Sequence, residues 1–332
     1  MVPQDTLLVI LVGLIDLIPT LPEPLIAKRG RRKAYPDRLF LKALVIMIVR
    51  QVHTPSGLLA ILAQSTAEMQ ALRRHLSLPD GRFPCRRTWE RRLAKIPEVL
   101  PAQIACIGRF LVIEIQVWIE AACAAAIDST VLRACGGVWH KKDREAGVIP
   151  HSSIDTEAHW TKSAYHGWVY GWKLHLVVCA ASPVWLPLAA DLTSANVADN
   201  EQAPALIAEL PDELRFLLGD QHYNDETLHQ QCNQRGCLVV TPHTGKGNPY
   251  PHQDPGVEVR KILHKTRSLA IENFNEQFKA IFDVHGQVVT KGLVATRRFA
   301  LSAVLVYQLA VLYCFLHDLD LRVGLKALIK SA

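Results

Sequence analysis

The period of the hydrophobic pattern changes near residue 121, which limits the chain to a helical front part joined to a mixed α/β part. Upstream, Leu39, Phe40, Ala43, Leu44, Met47 and Ile48 form one helical stripe behind Pro36 and Asp37, a helix start with Asp37 as the expected cap. Ser65 and Glu68 have the S-x-x-E spacing of a capping box and predict a second helix through Arg73 and Arg74, closed by a turn at Pro79, Asp80 and Gly81. Downstream, Ala122 to Ile127 is a short apolar run ending on Asp128. Trp172 to Ala180 is alternating and β-branched, and Trp185 to Leu192 faces it across Ala181, Ser182 and Pro183, as in an antiparallel hairpin. A helix over Asp199 to Leu210, a strand over Leu214 to Leu218, another helix and a strand over Cys237 to Thr241 follow. Residues 242–257 are rich in Pro, Gly and His and predict a loop. This order predicts the α/β class, a mixed sheet flanked by helices and preceded by an all-α region. The expected units are 1–120, 121–300 and a C-terminal helix over 301–332 packed on the second unit.

Charge divides at the same place. Residues 1–120 carry 17 Lys+Arg against 10 Asp+Glu, whereas the other 212 carry 20 against 21. A basic front end on a nearly neutral remainder is the footprint of a polyanion-binding protein, with nucleic acid the first candidate. The strongest cluster is Arg86, Arg87, Arg91 and Arg92 around Trp89. On a short helix starting near Thr88 these guanidinium groups would lie along phosphates while Trp89 anchors the helix; the alternative is a solvated helix face.

With 49% hydrophobic and 20% charged residues the chain is not disordered, and its eight cysteines contain no CxxC pair, which fits a reducing cytoplasm. Leu7 to Ile18 holds Asp16 and follows no basic residue, so it reads as a core helix and not as a signal peptide. Phe299 to Leu316 runs 18 residues without a charge and reads as a buried helix, with a membrane span as the alternative.

Two aspartates follow apolar strands, Asp128 after Ala-Ala-Ala-Ile and Asp220 after Phe-Leu-Leu-Gly. Strand ends hold carboxylates rigidly, and hard divalent cations take carboxylate and phosphate oxygens. A pair of such ions about 3.5–4 Å apart activates a nucleophile and stabilises a leaving oxygen in phosphodiester chemistry. A third acid is then needed. Ile271, Phe274, Phe278, Ile281 and Phe282 fall on one side of a helix, with Glu272, Glu276 and Lys279 on a neighbouring side. Glu272 is the expected ligand, Glu276 its substitute, and Lys279 reaches a DNA phosphate. Asp199 is expected to cap the helix after it, and Asp155 to cap a loop or stand at the rim of the site. His140, His151, His159, His166, His175 and Cys135 lack the paired spacing of a zinc site, and Gly245-Lys246-Gly247 lacks the rest of a phosphate loop.

The ordered set Asp128-Ser-Thr, Tyr170-Gly-Trp-Lys173-Leu-His, Thr193-Ser-Ala-Asn196-Val-Ala-Asp199 and Gly219-Asp220-Gln-His-Tyr223 resembles the catalytic domain of bacterial insertion-sequence transposases of the DDE type. Glu272 and Lys279, with six residues between them, resemble the Tyr-Arg-Glu-Lys signature of one subgroup. The signature's tyrosine falls on His264, and Arg267 precedes Glu272 by four intervening residues where the family has three. The resemblance implies an RNase H-like fold over about residues 121 to 300. It implies catalytic and metal-binding roles for Asp128, Asp220 and Glu272 with Mg²⁺ or Mn²⁺, as two ions. It also implies cutting and joining of DNA ends without a covalent protein–DNA intermediate. The partners expected are double-stranded DNA, as element terminal repeats and target, gripped by Arg86, Arg87, Arg91, Arg92, Arg267 and Lys279, and a second copy of the chain in a homodimeric synaptic complex at the bacterial nucleoid. The rival readings are an impaired element copy acting as a DNA-binding repressor, and a nuclease that cleaves without joining.

Overall fold

The apolar stripes of the front part condense into helices that share faces. A computed structural model describes residues 6–21, 34–117, 123–163, 167–180, 184–242 and 255–332. The first helices are α1 (Leu7–Leu14), α2 (Asp37–Val49), α3 (Pro55–Leu62), α4 (Ala67–His75), α5 (Arg86–Lys95) and α6 (Leu100–Ile115). Every residue of α2 from Leu39 to Ile48 is buried, so the expected one-sided stripe is a helix enclosed all round. Asp37 is its first residue, behind Pro36, and its carboxylate pairs with Arg92. The expected capping box is displaced by one residue: Thr66 caps α4, accepting from the Met69 N–H at 3.2 Å, and Glu68 pairs with Arg50 at 2.6 Å. Two adjacent hydroxyls compete for the same orphan N–H groups, and spacing alone does not choose between them.

The second part supplies the sheet: β1 (Ala124–Arg133), β2 (His159–Ser163), β3 (Gly167–Cys179), β4 (Pro187–Ser194), β5 (Phe216–Leu218) and β6 (Leu238–Val240). Strands β1 and β3 are antiparallel with Asp128 opposite Leu176, and β3 also pairs antiparallel with β2 at its start and with β4 along the rest. Strands β5 and β6 continue the sheet in parallel, β5 on β1 and β6 on β5. The helices here are α7 (Lys141–Glu145), α8 (Asp199–Ala208), α9 (Glu226–Gln234), α10 (Val257–Phe282), α11 (Leu293–Leu316) and α12 (Leu325–Ser331). The turn Ala181-Ser182-Pro183, most of the loop 242–257 with Gly245-Lys246-Gly247, and His166 lie outside the described residues.

Helix α11 joins the two parts. The uncharged run belongs to it, and 83% of its most apolar window is buried inside the fold, as in a core helix. It crosses residue 300 without a break. The buried Gln308 donates through Nε2 to the Ile104 carbonyl of α6 at 3.0 Å and to the Pro187 carbonyl of β4 at 2.8 Å. Arg298 donates to the carbonyls of Leu93 at 3.0 Å and His53 at 3.1 Å. One hydrophobic cluster therefore runs from Leu8 through the sheet to Ala332.

The N-terminus of α11 is held by the segment that the sequence placed near the rim. Asp155, 1% exposed, accepts the Gly292 N–H at 2.8 Å, and Glu157 accepts the Leu293 N–H at 2.6 Å. Two carboxylates thus satisfy orphan donors at the positive end of the helix.

Candidate active site

Asp128 was expected at the end of the first strand, but β1 continues to Arg133. Its neighbour β5 is what ends. The parallel ladder pairs Ala124 with Phe216, Ala125 with Leu217 and Ala126 with Leu218, then stops. Two residues beyond the last pair on each chain stand Asp128 and Asp220, level with each other at the open end of the ladder. Asp128 accepts the Ser129 N–H through Oδ1 at 2.8 Å, and Asp220 accepts the His222 N–H at 2.8 Å. These bonds hold each carboxylate close to its own backbone, the rigidity that two small apolar runs followed by Asp provide. Gly219 is required by close approach, since a Cβ there would lie 2.7 Å from the Cβ of Tyr223.

The charge at this end is concentrated. Burial pushes the Asp128 carboxyl up to about 6; the Arg267 guanidinium and the Ser129 N–H oppose the shift, and the negative charges of Asp220 and Asp199 add to it. The phenol of Tyr223, 1% exposed, is pushed well above its ordinary value by burial and then by Asp128, Asp199 and Asp220. Three carboxylates therefore act on one buried ring.

Asp199 was expected to cap the helix after it, but Ala198 holds the cap position and no side-chain cap bond forms. Asp199 is the first residue of α8, and its side chain turns to the sheet, 3.1 Å from Lys173 Nζ and 3.6 Å from His175 Nδ1. Lys173 also donates to the Val197 carbonyl at 3.0 Å, and His175 Nε2 is 2.8 Å from Thr193 Oγ1. Burial lowers His175 to about 4 against the pull of Asp199. The Lys173-Leu-His175 and Thr193-to-Asp199 segments, consecutive in the family-like order, are thus two sides of one polar wall. The signal was present as the adjacency of β3 and β4, but only the register matches the partners.

Helix α10 packs against β1, β3, β5, β6 and α12, and its buried side carries Leu263, Arg267, Ala270, Ile271, Phe274, Phe278 and Ile281. Arg267, expected at DNA, is buried, and its Nη2 donates to Asp128 Oδ2 at 2.7 Å. Its spacing of four from Leu263 and from Ile271 puts it in the apolar stripe, so the guanidinium reaches the nearest carboxylate below the helix and not the solvent. Glu272 is exposed on α10, about 140° around the axis from Arg267 at 3.6 residues per turn. The structure brings Asp128 and Asp220 together and leaves Glu272 out of that contact. Glu276 and His264 are exposed as well. Lys279 is half-buried, and burial lowers its ammonium against the pull of Glu276. Among the described residues no three His, Cys, Asp or Glu side chains converge closely enough to hold an ion.

On α5, Trp89 is fully buried, edge-on to Phe40 at 5.0 Å and against Phe83 at 5.6 Å. Arg86, Arg87 and Arg91 project outward, with Arg86 paired to Glu90 at 2.8 Å. Arg92 differs. It pairs with Asp37, donates to the Tyr35 carbonyl at 3.0 Å and lies 4.3 Å over the Phe40 ring, so it serves the packing of α5 on α2.

A family profile described as "Transposase DDE domain" matches residues 120–308, over half of the chain and all of β1 to β6. The chain belongs to the transposase DDE domain family. No curated protein matches it. Among solved structures, one described as the piggyBac transposase synaptic complex with hairpin DNA, determined by cryo-EM, is similar at 10% identity and a TM-score of 0.39, over 96% of this chain and 74% of that one.

Proposed function

We propose that this chain is a bacterial insertion-sequence transposase that binds the terminal inverted repeats of its element and carries out divalent-metal-dependent DNA strand cleavage and strand transfer. The observation that carries the reading is the alignment of Asp128 with Asp220 at the open end of the β1/β5 ladder. An RNase H-like reading of the fold is supported by the mixed order in which β3 pairs antiparallel with β1, β4 pairs antiparallel with β3, and β5 and β6 run parallel to β1 on its other side.

The donor set fits Mg²⁺ or Mn²⁺. Carboxylate oxygens are their ligands, and the negative charge that Arg267 offsets only in part is what a divalent cation neutralises. Asp128 and Asp220 would hold the ions, and Glu272, which stands outside that pair in this structure, would have to be brought to them to serve as the third acid. Bound metal supplies activation of the attacking oxygen and stabilisation of the leaving one. The chain's own residues do the rest. Ser129 and His222 N–H groups fix the two carboxylates, Arg267 holds Asp128 in its rotamer, and the buried Tyr223 packs closely on Gly219, the residue before Asp220. Arg86, Arg87 and Arg91 fix the DNA through phosphates, and Lys279 contacts the strand near the site. The working assembly is a homodimer on paired element ends in the bacterial cytoplasm.

The exposure of Glu272 favours a second reading, an impaired element copy that binds DNA and represses its relatives. Incubation of the purified protein with Mn²⁺ and labelled terminal-repeat duplex, beside random duplex, separates the readings. Cutting at the repeat ends followed by joining is the expected result. Binding without cutting selects the repressor, indiscriminate cutting without joining selects a nuclease, and no binding overturns all three.

A further inference from the structure

The end of α9 places two thiols together. The helix closes with Gly236 at φ +69°, the left-handed conformation that glycine adopts without cost. The Cys237 N–H donates to the Cys232 carbonyl at 2.9 Å, and the Gly236 N–H to the Asn233 carbonyl at 2.9 Å, the paired bonds of a Schellman stop. Such a stop brings the residue after the glycine against the residue five positions earlier, a contact that apolar side chains normally make. Here both are cysteines, each the largest influence on the other's thiol. The backbone bond between the same two residues holds their Cα atoms near each other, as a disulfide's separation of about 4.4–6.8 Å requires. Both side chains border a small surface recess that Leu210, Pro211 and Leu214 also line.

We propose that Cys232 and Cys237 are a redox-modification site, closing to a reversible disulfide when the protein meets a hydroperoxide. The Cys237 thiolate attacks the peroxide, the O–O bond breaks, and Cys237 becomes a sulfenic acid as hydroxide leaves. The Cys232 sulfur then attacks the Cys237 sulfur; its proton and the sulfenic hydroxyl depart as water. Two thiols are oxidised and one peroxide is reduced to two oxygens at the level of water. The order of events follows the environment. The hydrogen bond from Cys232 lowers Cys237, helped by the nearby Arg235 and Arg215, while the same bond and burial raise Cys232. Cys237 is therefore the nucleophile and Cys232 the resolving thiol.

The test uses the full chain treated with hydrogen peroxide, blocked with N-ethylmaleimide under denaturing conditions and cleaved with trypsin. Cleavage after Arg235 separates the two cysteines, so the disulfide joins two peptides that part on reduction with dithiothreitol. That joined pair is expected in the wild-type protein. Recovery of both cysteines as maleimide adducts while the exposed Cys85 is oxidised overturns the proposal, as does pairing of either cysteine with another partner. Cys232→Ser is expected to trap the sulfenic acid on Cys237 as a dimedone adduct. A dimedone adduct on Cys232 in Cys237→Ser, with none on Cys237 in Cys232→Ser, overturns the assignment of the nucleophile. The wild-type peptide map decides the site even where a variant does not fold.

Discussion

Arg267 Nη2 lies 2.7 Å from Asp128 Oδ2, joining the middle of the long helix α10 to strand β1. The pair is nearly enclosed, with side chains 9% and 24% exposed, so its charges interact more strongly than a surface pair would. Arg267→Gln removes the largest influence that opposes the raised Asp128 carboxyl, and the midpoint is expected to move above about 6. The Asp128 side-chain ¹³C shift, followed against pH in both proteins, reads this directly; an unchanged midpoint rejects the coupling.

The same carboxyl sets a pH dependence of stability. Its folded value of about 6 exceeds its ordinary 3.8, so between those values the native state holds a proton that the unfolded state has released. The contribution is full below the ordinary value and is lost as pH rises to about 6. Asp128→Asn is expected to flatten that segment of the melting temperature against pH. A segment with the same slope in the variant places the dependence elsewhere.

Strand cleavage should fall by orders of magnitude in Asp128→Asn and Asp220→Asn, with binding of duplex DNA retained, since binding rests on phosphate contacts elsewhere. The proposal expects the same of Glu272→Gln and most activity from Glu276→Gln. A folded Glu272→Gln protein that cuts terminal DNA at near wild-type rate, beside an inactive Glu276→Gln, reverses that choice.

The arginines of α5 divide by experiment. Replacing Arg86, Arg87 and Arg91 with alanine is expected to flatten the salt dependence of DNA binding and leave the melting temperature within a degree or so. Arg92→Ala is expected to cost about 1–3 kcal/mol in urea unfolding, because it removes an ion-pair partner of Asp37, the donor to the Tyr35 carbonyl and the cover of Phe40. Equal effects of both changes on stability contradict the division.

Gln308→Leu is expected to destabilise by about 1–3 kcal/mol, because two buried carbonyls, Ile104 and Pro187, lose their shared donor. Urea unfolding checks it, and a neutral result shows that another group satisfies them.

Much of the frame was legible before any coordinates. The switch from helical to alternating pattern near residue 121, the hairpin of β3 and β4, the enclosed α11 and the anchoring of α5 by Trp89 all follow from periodicity and side-chain chemistry, which act over a few residues. The two aspartates were legible for the same reason, since each ends a short apolar run.

Partners far apart in the chain were not legible. Arg267 and Asp128 are 139 residues apart, and they meet because of the rotation that α10 adopts when its apolar stripe settles on β1. That rotation also leaves Glu272 exposed; separately, the packing of α5 on α2 makes Arg92 a brace, and the contact of Asp155 with the Gly292 N–H fixes it at the start of α11. Sequence spacing determines which residues share a face, but the depth of each helix on the sheet decides which charge each face meets, and that depth is set by all the packed side chains together.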